Sequence, residues 1–453
     1  AQAILAQAFL APNRIGPSAA APGMASKVAD LDAEWRKPGI AAEEAQGEAA
    51  KPQPAPGQGK SASLDFVRLF AALHIGLWHL RWDPASQPAV SWVSFFFLLS
   101  GFGAARSKLN SGSPVRWMPQ ARTVLRRLVG VYPTYLAGMA IVALLYAVAH
   151  MQPNPRIWLH VFMLQGWVPN AWAYEDVPFH DGPGWFVSAL FFCWFFEEAA
   201  LASPMALNRR GMLPVVPLLL VFWQIAWPFS KCPLTWGRMR PWTMVRALQY
   251  LHIYFAGAAL AVFAHGRAAE LRRVARLCAG SALAALALVM IAASWWSEWD
   301  AFSNFVRQAI NQNLLLPVHC LLILGFMHGF DPLAEWAPRR AQTCAYDLSL
   351  GFFLLSWPVG VGFTALPPLS CSLQSLTGHC MGIPDFSVVD TLVIFSVSLL
   401  MAELVQVLVQ RPVSLYMLSR LAETSTSKSD TSDCSSESEC DSSSSSSGFD
   451  GYS

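Results

Sequence analysis

The sequence predicts an all-α integral membrane protein, and three observations carry that reading: low charge, abundant aromatics and apolar runs of bilayer length. Of 453 residues, 54% are hydrophobic and 13% charged, against roughly 25% charged in soluble domains, and the mean hydropathy is +0.37. The 19 Trp and 28 Phe suit a chain whose amphipathic rings collect at membrane interfaces while phenyl groups enter the hydrocarbon. A net charge of +2 from nearly balanced signs gives no basic field of the kind that attracts nucleic acid, so nucleic acid is excluded as a partner.

Residues 1–60 are rich in Ala, Pro, Gly and Gln, as in APNRIGPSAAAPG, with no run long enough to cross a bilayer, and are expected to form a disordered arm. From about residue 424 the sequence TSTSKSDTSDCSSESECDSSSSSSGFD is expected to form a disordered acidic, Ser-rich tail to residue 453. Between them lies a membrane domain over 61–415. Apolar segments fall at 64–80, 90–105, 128–149, 184–201, 212–229, 248–265, 277–294, 313–330, 346–366 and 388–409, which predicts about ten transmembrane helices, each near the ~20 residues that span the hydrocarbon core. The run 157–168 is too short to span and is expected in the interface. Loops after the second, fourth, sixth and eighth segments hold most of the cations, among them Arg106, Lys108, Arg126, Arg127, Arg272 and Arg339, which predicts cytoplasmic termini. The basic loop 230–246 runs against that pattern.

The cysteines form no CxxC pair and no ligand-spaced His/Cys cluster, so no metal site is expected. Cys371 and Cys380 share one loop and Cys232 lies in another; a disulfide among them requires that these loops face an oxidising compartment.

The first apolar segment, SLDFVRLFAALHIGLWHL, carries Arg68, His74 and His79. An Arg near a bilayer centre costs about 2.5–3.5 kcal/mol on insertion scales, so such side chains usually face a bundle interior or a wet cavity. Arg68 can instead snorkel and a membrane His can serve packing. Eleven positions separate Arg68 from His79, about three helical turns, which sets both on one face with roughly 16 Å of rise between them. His74 falls on another side, in a structural role.

These residues resemble the opening signature of the membrane-bound acyltransferase family 3: L-D-x-x-R, then an apolar run to a His. FFFLLSGF with Ser100 and Gly101, RRLVGVYPTY with Arg126, Arg127 and Tyr132, GWFVSALFFCWFF with Trp185, AYDLSLGFFLLSWPV and LVQRPV are similar to further family motifs, in the expected order from Ser63 to Arg411. The resemblance implies an O-acyltransferase that takes an acyl group from acyl-CoA, acetyl-CoA by default, to a hydroxyl of a carbohydrate, glycolipid or similar acceptor. In that scheme neutral His79 accepts the hydroxyl proton. Arg68 positions the donor through its planar, permanently charged guanidinium. Ser100, Gly101, Arg126, Arg127, Tyr132 and Trp185 serve donor binding and positioning, against an alternative reading of Ser100 and Gly101 as helix packing and of the arginines as topology determinants and lipid-headgroup contacts.

Two departures stand out. Leu190 occupies a position where the family carries Glu, with Glu197 and Glu198 about two turns on, and Ser356 stands where the late motif carries His. Both keep a catalytically inactive binding protein in view. A multi-pass transporter or channel also accommodates ionisable residues in helices, but it lacks support from an internal repeat or matched broken helices.

Overall fold

A computed structural model describes residues 61–80, 88–112, 121–148, 156–168, 183–209, 246–295, 314–365 and 388–426, all within one unit, Lys60–Ser453. The described residues are helical, with no strand. The expected arm 1–60, the segment 212–229, the loop cysteines and the tail beyond Thr426 lie outside them.

Fourteen α-helices follow in order among the described residues: α1 (Ala62–Leu80), α2 (Ser91–Ser111), α3 (Ala121–Val129), α4 (Tyr132–Val148), α5 (Ile157–Val161), α6 (Gly184–Phe195), α7 (Glu197–Arg209), α8 (Arg246–His265), α9 (Ala268–Trp295), α10 (Leu316–Met327), α11 (Pro332–Trp336), α12 (Arg339–Ala365), α13 (Val388–Val405) and α14 (Arg411–Thr426). Five helices are long and apolar enough to cross a membrane, and up to seven spans result if the bent pairs α3–α4 (51°) and α6–α7 (55°) each count as one. α10 is apolar but short. α1 falls outside that set, because Asp65, Arg68, His74 and His79 dilute its hydropathy within 19 residues.

Core packing runs mainly through α2 against α8 and α1 against α12. α2 and α8 cross backbone to backbone at two glycines: a Cβ on Gly101 would overlap the carbonyl oxygen of Tyr254, and one on Gly257 would overlap that of Leu98. Gly101 and Gly257 therefore form a small-residue crossing of the kind that lets membrane helices approach closely. Phe95, Phe97, Leu98, Ile253 and Tyr254 fill the same core without exposure. By contrast α9 and α13 turn Leu277, Leu288, Leu392 and Leu400 outward. Such faces need apolar surroundings, which a bilayer supplies.

Helix ends are closed from afar. Asp331, beside α11, accepts hydrogen bonds from the backbone N–H of Ala62 (2.8 Å) and Ser63 (2.9 Å) and from Ser63 Oγ (2.6 Å), and so caps the start of α1. α10 stops at Gly329, whose φ of +119° suits glycine, with Phe330 N–H returning to Gly325 O at 3.2 Å. A π-helical turn, Gln406–Gln410, links α13 to α14.

Candidate functional site

α1 lies along α12 in the same direction. Arg68 sits over the Tyr346 ring at 5.1 Å, Gly76 meets Phe352 and Ser356, and the His79 ring stands 5.3 Å from that of Trp357. The stripe expected from the spacing therefore faces one helix, and its two polar members mark the ends of one seam. Arg68 is not a lone cation: Asp65, one turn before it, accepts its Nη1 at 2.7 Å. The D-x-x-R pattern thus encodes an i,i+3 ion pair that holds the guanidinium in place, with a quarter of the Arg68 side chain exposed.

Between these ends the seam is filled. A Cβ on Gly76 would come within 2.7 Å of Phe352 Cε1 and 3.5 Å of Ser356 Oγ. Ser356, in the place of the expected His, is buried and its Oγ has no hydrogen-bond partner among the described residues.

Motif segments far apart in sequence continue this polar line. Asp347, next to Tyr346, accepts from Arg411 Nη2 at 2.9 Å. Gln410, one residue before Arg411, is buried at the α3–α4 bend: its Oε1 accepts from Thr134 N–H (3.1 Å) and Oγ1 (2.9 Å), and its Nε2 donates to Val129 O (3.2 Å). The bend at Gly130 and Val131 leaves backbone groups that the helix ladder cannot serve, and one amide from the last motif serves both sides of the break. Segments of LDFVR, AYDLSL, QRPV and LVGVYPTY thereby meet in one connected set of contacts.

The remaining expected positions distribute elsewhere. Arg127 makes a two-point ion pair with buried Glu197, 2.8 Å from Nε to Oε2 and 2.9 Å from Nη2 to Oε1, and Lys108 pairs with buried Glu198. Both carboxylates begin α7, where the helix dipole favours negative charge, just past the bend at Phe196. These are the glutamates that follow Leu190, and the structure ties them to the ends of α2 and α3. Arg126 is exposed. Trp185 packs its ring against Phe186 and Tyr250, and Tyr132 donates to Val161 O at 3.0 Å.

The run 156–168, which Tyr132 thereby reaches, buries Leu159, His160, Met163 and Gln165, two of them with no exposure at all, while Trp158 and Phe162 are exposed. Its carbonyls are taken up by side chains of neighbouring helices, Tyr135 on His160 O and Ser188 on Met163 O (2.6 Å), which satisfies irregular backbone inside a bundle. His74 and His319 meet the same tryptophan. Trp92 donates from Nε1 to His74 Nδ1 at 3.0 Å and stacks on the ring of fully buried His319. Only the polarity of His319 within an apolar run marked it in the sequence. No group of three or more metal-ligating side chains occurs among the described residues.

No protein-family model matches the chain, and neither a curated protein nor a solved structure matches it.

Proposed function

We propose that the chain is a multi-pass membrane O-acyltransferase of about ten transmembrane helices with both termini cytoplasmic, which moves an acetyl or similar acyl group from acyl-CoA to a hydroxyl of a carbohydrate, glycolipid or related acceptor. One observation carries the reading: four of the segments that resemble acyltransferase motifs, LDFVR, LVGVYPTY, AYDLSL and QRPV, meet along the α1–α12 seam and its extension through Asp347, Arg411 and Gln410.

In this scheme the His79 imidazole removes the proton from the acceptor hydroxyl as its oxygen attacks the thioester carbonyl, and the proton then passes to the departing CoA thiolate. Arg68, oriented by Asp65, stabilises negative charge on the donor. Membranes that contain the wild-type chain, given labelled acetyl-CoA, should transfer label to a hydroxyl acceptor, whereas inserted Arg68→Ala and His79→Ala chains should lose at least about 100-fold in rate. Equal labelling by all three would remove both residues from the chemistry.

The packing of Phe352 and Ser356 on Gly76 favours a second reading, an acyltransferase-like binding protein without turnover. Donor binding with no label transferred by the wild type would establish that reading instead.

A further inference from the structure

The partly buried loop 156–168 contains an acceptor atom that its own framework leaves over. Met163 holds a left-handed backbone, φ +53°, which a non-glycine residue keeps only where its surroundings over-determine it. Those surroundings are explicit. Ser188 Oγ donates to Met163 O and accepts from Gly166 N–H (2.9 Å), Trp167 Nε1 donates to Ser188 O (3.0 Å), and Ala247 N–H donates to Gly166 O (2.9 Å).

Within this frame Gln165 is fully buried, and its Nε2 donates to Tyr135 Oη at 3.0 Å. Tyr135 has one hydroxyl hydrogen, and it goes to His160 O. The tyrosine oxygen can therefore only accept from Gln165, and this fixes which way the amide points. A flipped amide would set two acceptors against each other. Gln165 Oε1 consequently faces away from Tyr135, buried and without a donor among the described residues. A buried amide oxygen in that state is unfavourable unless a water or a ligand hydroxyl supplies the hydrogen.

We propose that the loop 156–168 is a recognition site for a ligand hydroxyl, which donates to Gln165 Oε1. Resting on the acyltransferase reading, this makes the loop the place where the acyl acceptor is held by one of its hydroxyl groups. Buried Leu159 and Met163 on the same loop favour a hydroxyl carried by an apolar body over a freely hydrated one.

The test uses the full chain purified in lauryldimethylamine oxide, which has no hydroxyl group, without acetyl-CoA. Thermal unfolding is followed against 1-monooleoylglycerol and its dimethyl ether, and against methyl glucoside and its permethylated form, so that lipid-borne and free hydroxyls are separated. At least one hydroxyl probe should stabilise the protein saturably, with an apparent Kd about 10-fold tighter than its methylated counterpart, the effect of one buried hydrogen bond. Gln165→Met, similar in length but without the acceptor, should abolish that preference.

Equal affinity for hydroxyl and ether, or a preference undiminished in Gln165→Met, overturns the inference. Should Gln165→Met fail to unfold cooperatively, Gln165→Leu takes its place. Hydroxyl-dependent binding with no acetyl transfer would support the loop and count against the acyltransferase. Acetyl transfer by a Gln165→Met chain that keeps its hydroxyl preference would do the reverse.

Discussion

Gln410 shows how much a single side chain can hold. One amide serves Thr134 N–H, Thr134 Oγ1 and Val129 O across the α3–α4 break, so Gln410→Ala should destabilise the chain by about 2–4 kcal/mol, because backbone groups in a buried bend lose their partners. Denaturant unfolding in detergent measures this; a loss under about 0.5 kcal/mol would mean that the bend is held by other contacts. Arg68, His79 and their common stripe were legible in the sequence because helical periodicity is local. Gln165, Gln410 and Asp331 were not, because each acquires its role from residues remote in the chain: Asp331 caps α1 from 268 positions away.

The apolar segments predicted the main helices well where hydropathy alone decides, as for α8 and α13, and less well where helices break. The bends at Gly130–Val131 and Phe196 divide segments that the hydropathy window reads as continuous. The polar residues that stabilise them come from other segments. Glu197 and Glu198 illustrate the point. They followed the expected Glu position by two turns, and the fold uses them as buried partners of Arg127 and Lys108. Removal of one partner from a buried pair costs about 3–5 kcal/mol, whereas replacement of both by apolar groups is often nearly neutral. Glu197→Gln should therefore lower the Tm sharply and Glu197→Met with Arg127→Met much less; equal losses would contradict a desolvated pair. At the α2–α8 crossing, Gly257→Val should prevent close approach, since even a Cβ overlaps Leu98. Cross-linking between the two helices in membranes should fall. Unchanged cross-linking would mean that the helices do not cross at these glycines.

For the molecule as a whole, the connected motif contacts matter more than any one of them. α1 is short of the hydropathy of a typical span, and it is accommodated because α12 covers the Arg68–His79 face, α2 and α10 cover the side of His74, and Asp331 closes its start. A polar helix enclosed in this way brings an imidazole and a guanidinium into an otherwise apolar bundle. In the proposed acyl transfer from a thioester to a hydroxyl, these two groups are assigned the roles of positioned base and fixed positive charge. The hydropathy pattern predicted a bundle, but which helices enclose α1 depends on packing between residues hundreds of positions apart.

The most direct test of that enclosure is a cysteine cross-linking comparison in intact membranes, with a short bis-methanethiosulfonate reagent. His79→Cys with Trp357→Cys should link efficiently, since their rings are neighbours. Phe70→Cys with Trp357→Cys should not, because Phe70 packs toward Trp92 on another side of α1. Equal linking of both pairs, or linking of only the second, would contradict the seam on which the proposed chemistry stands.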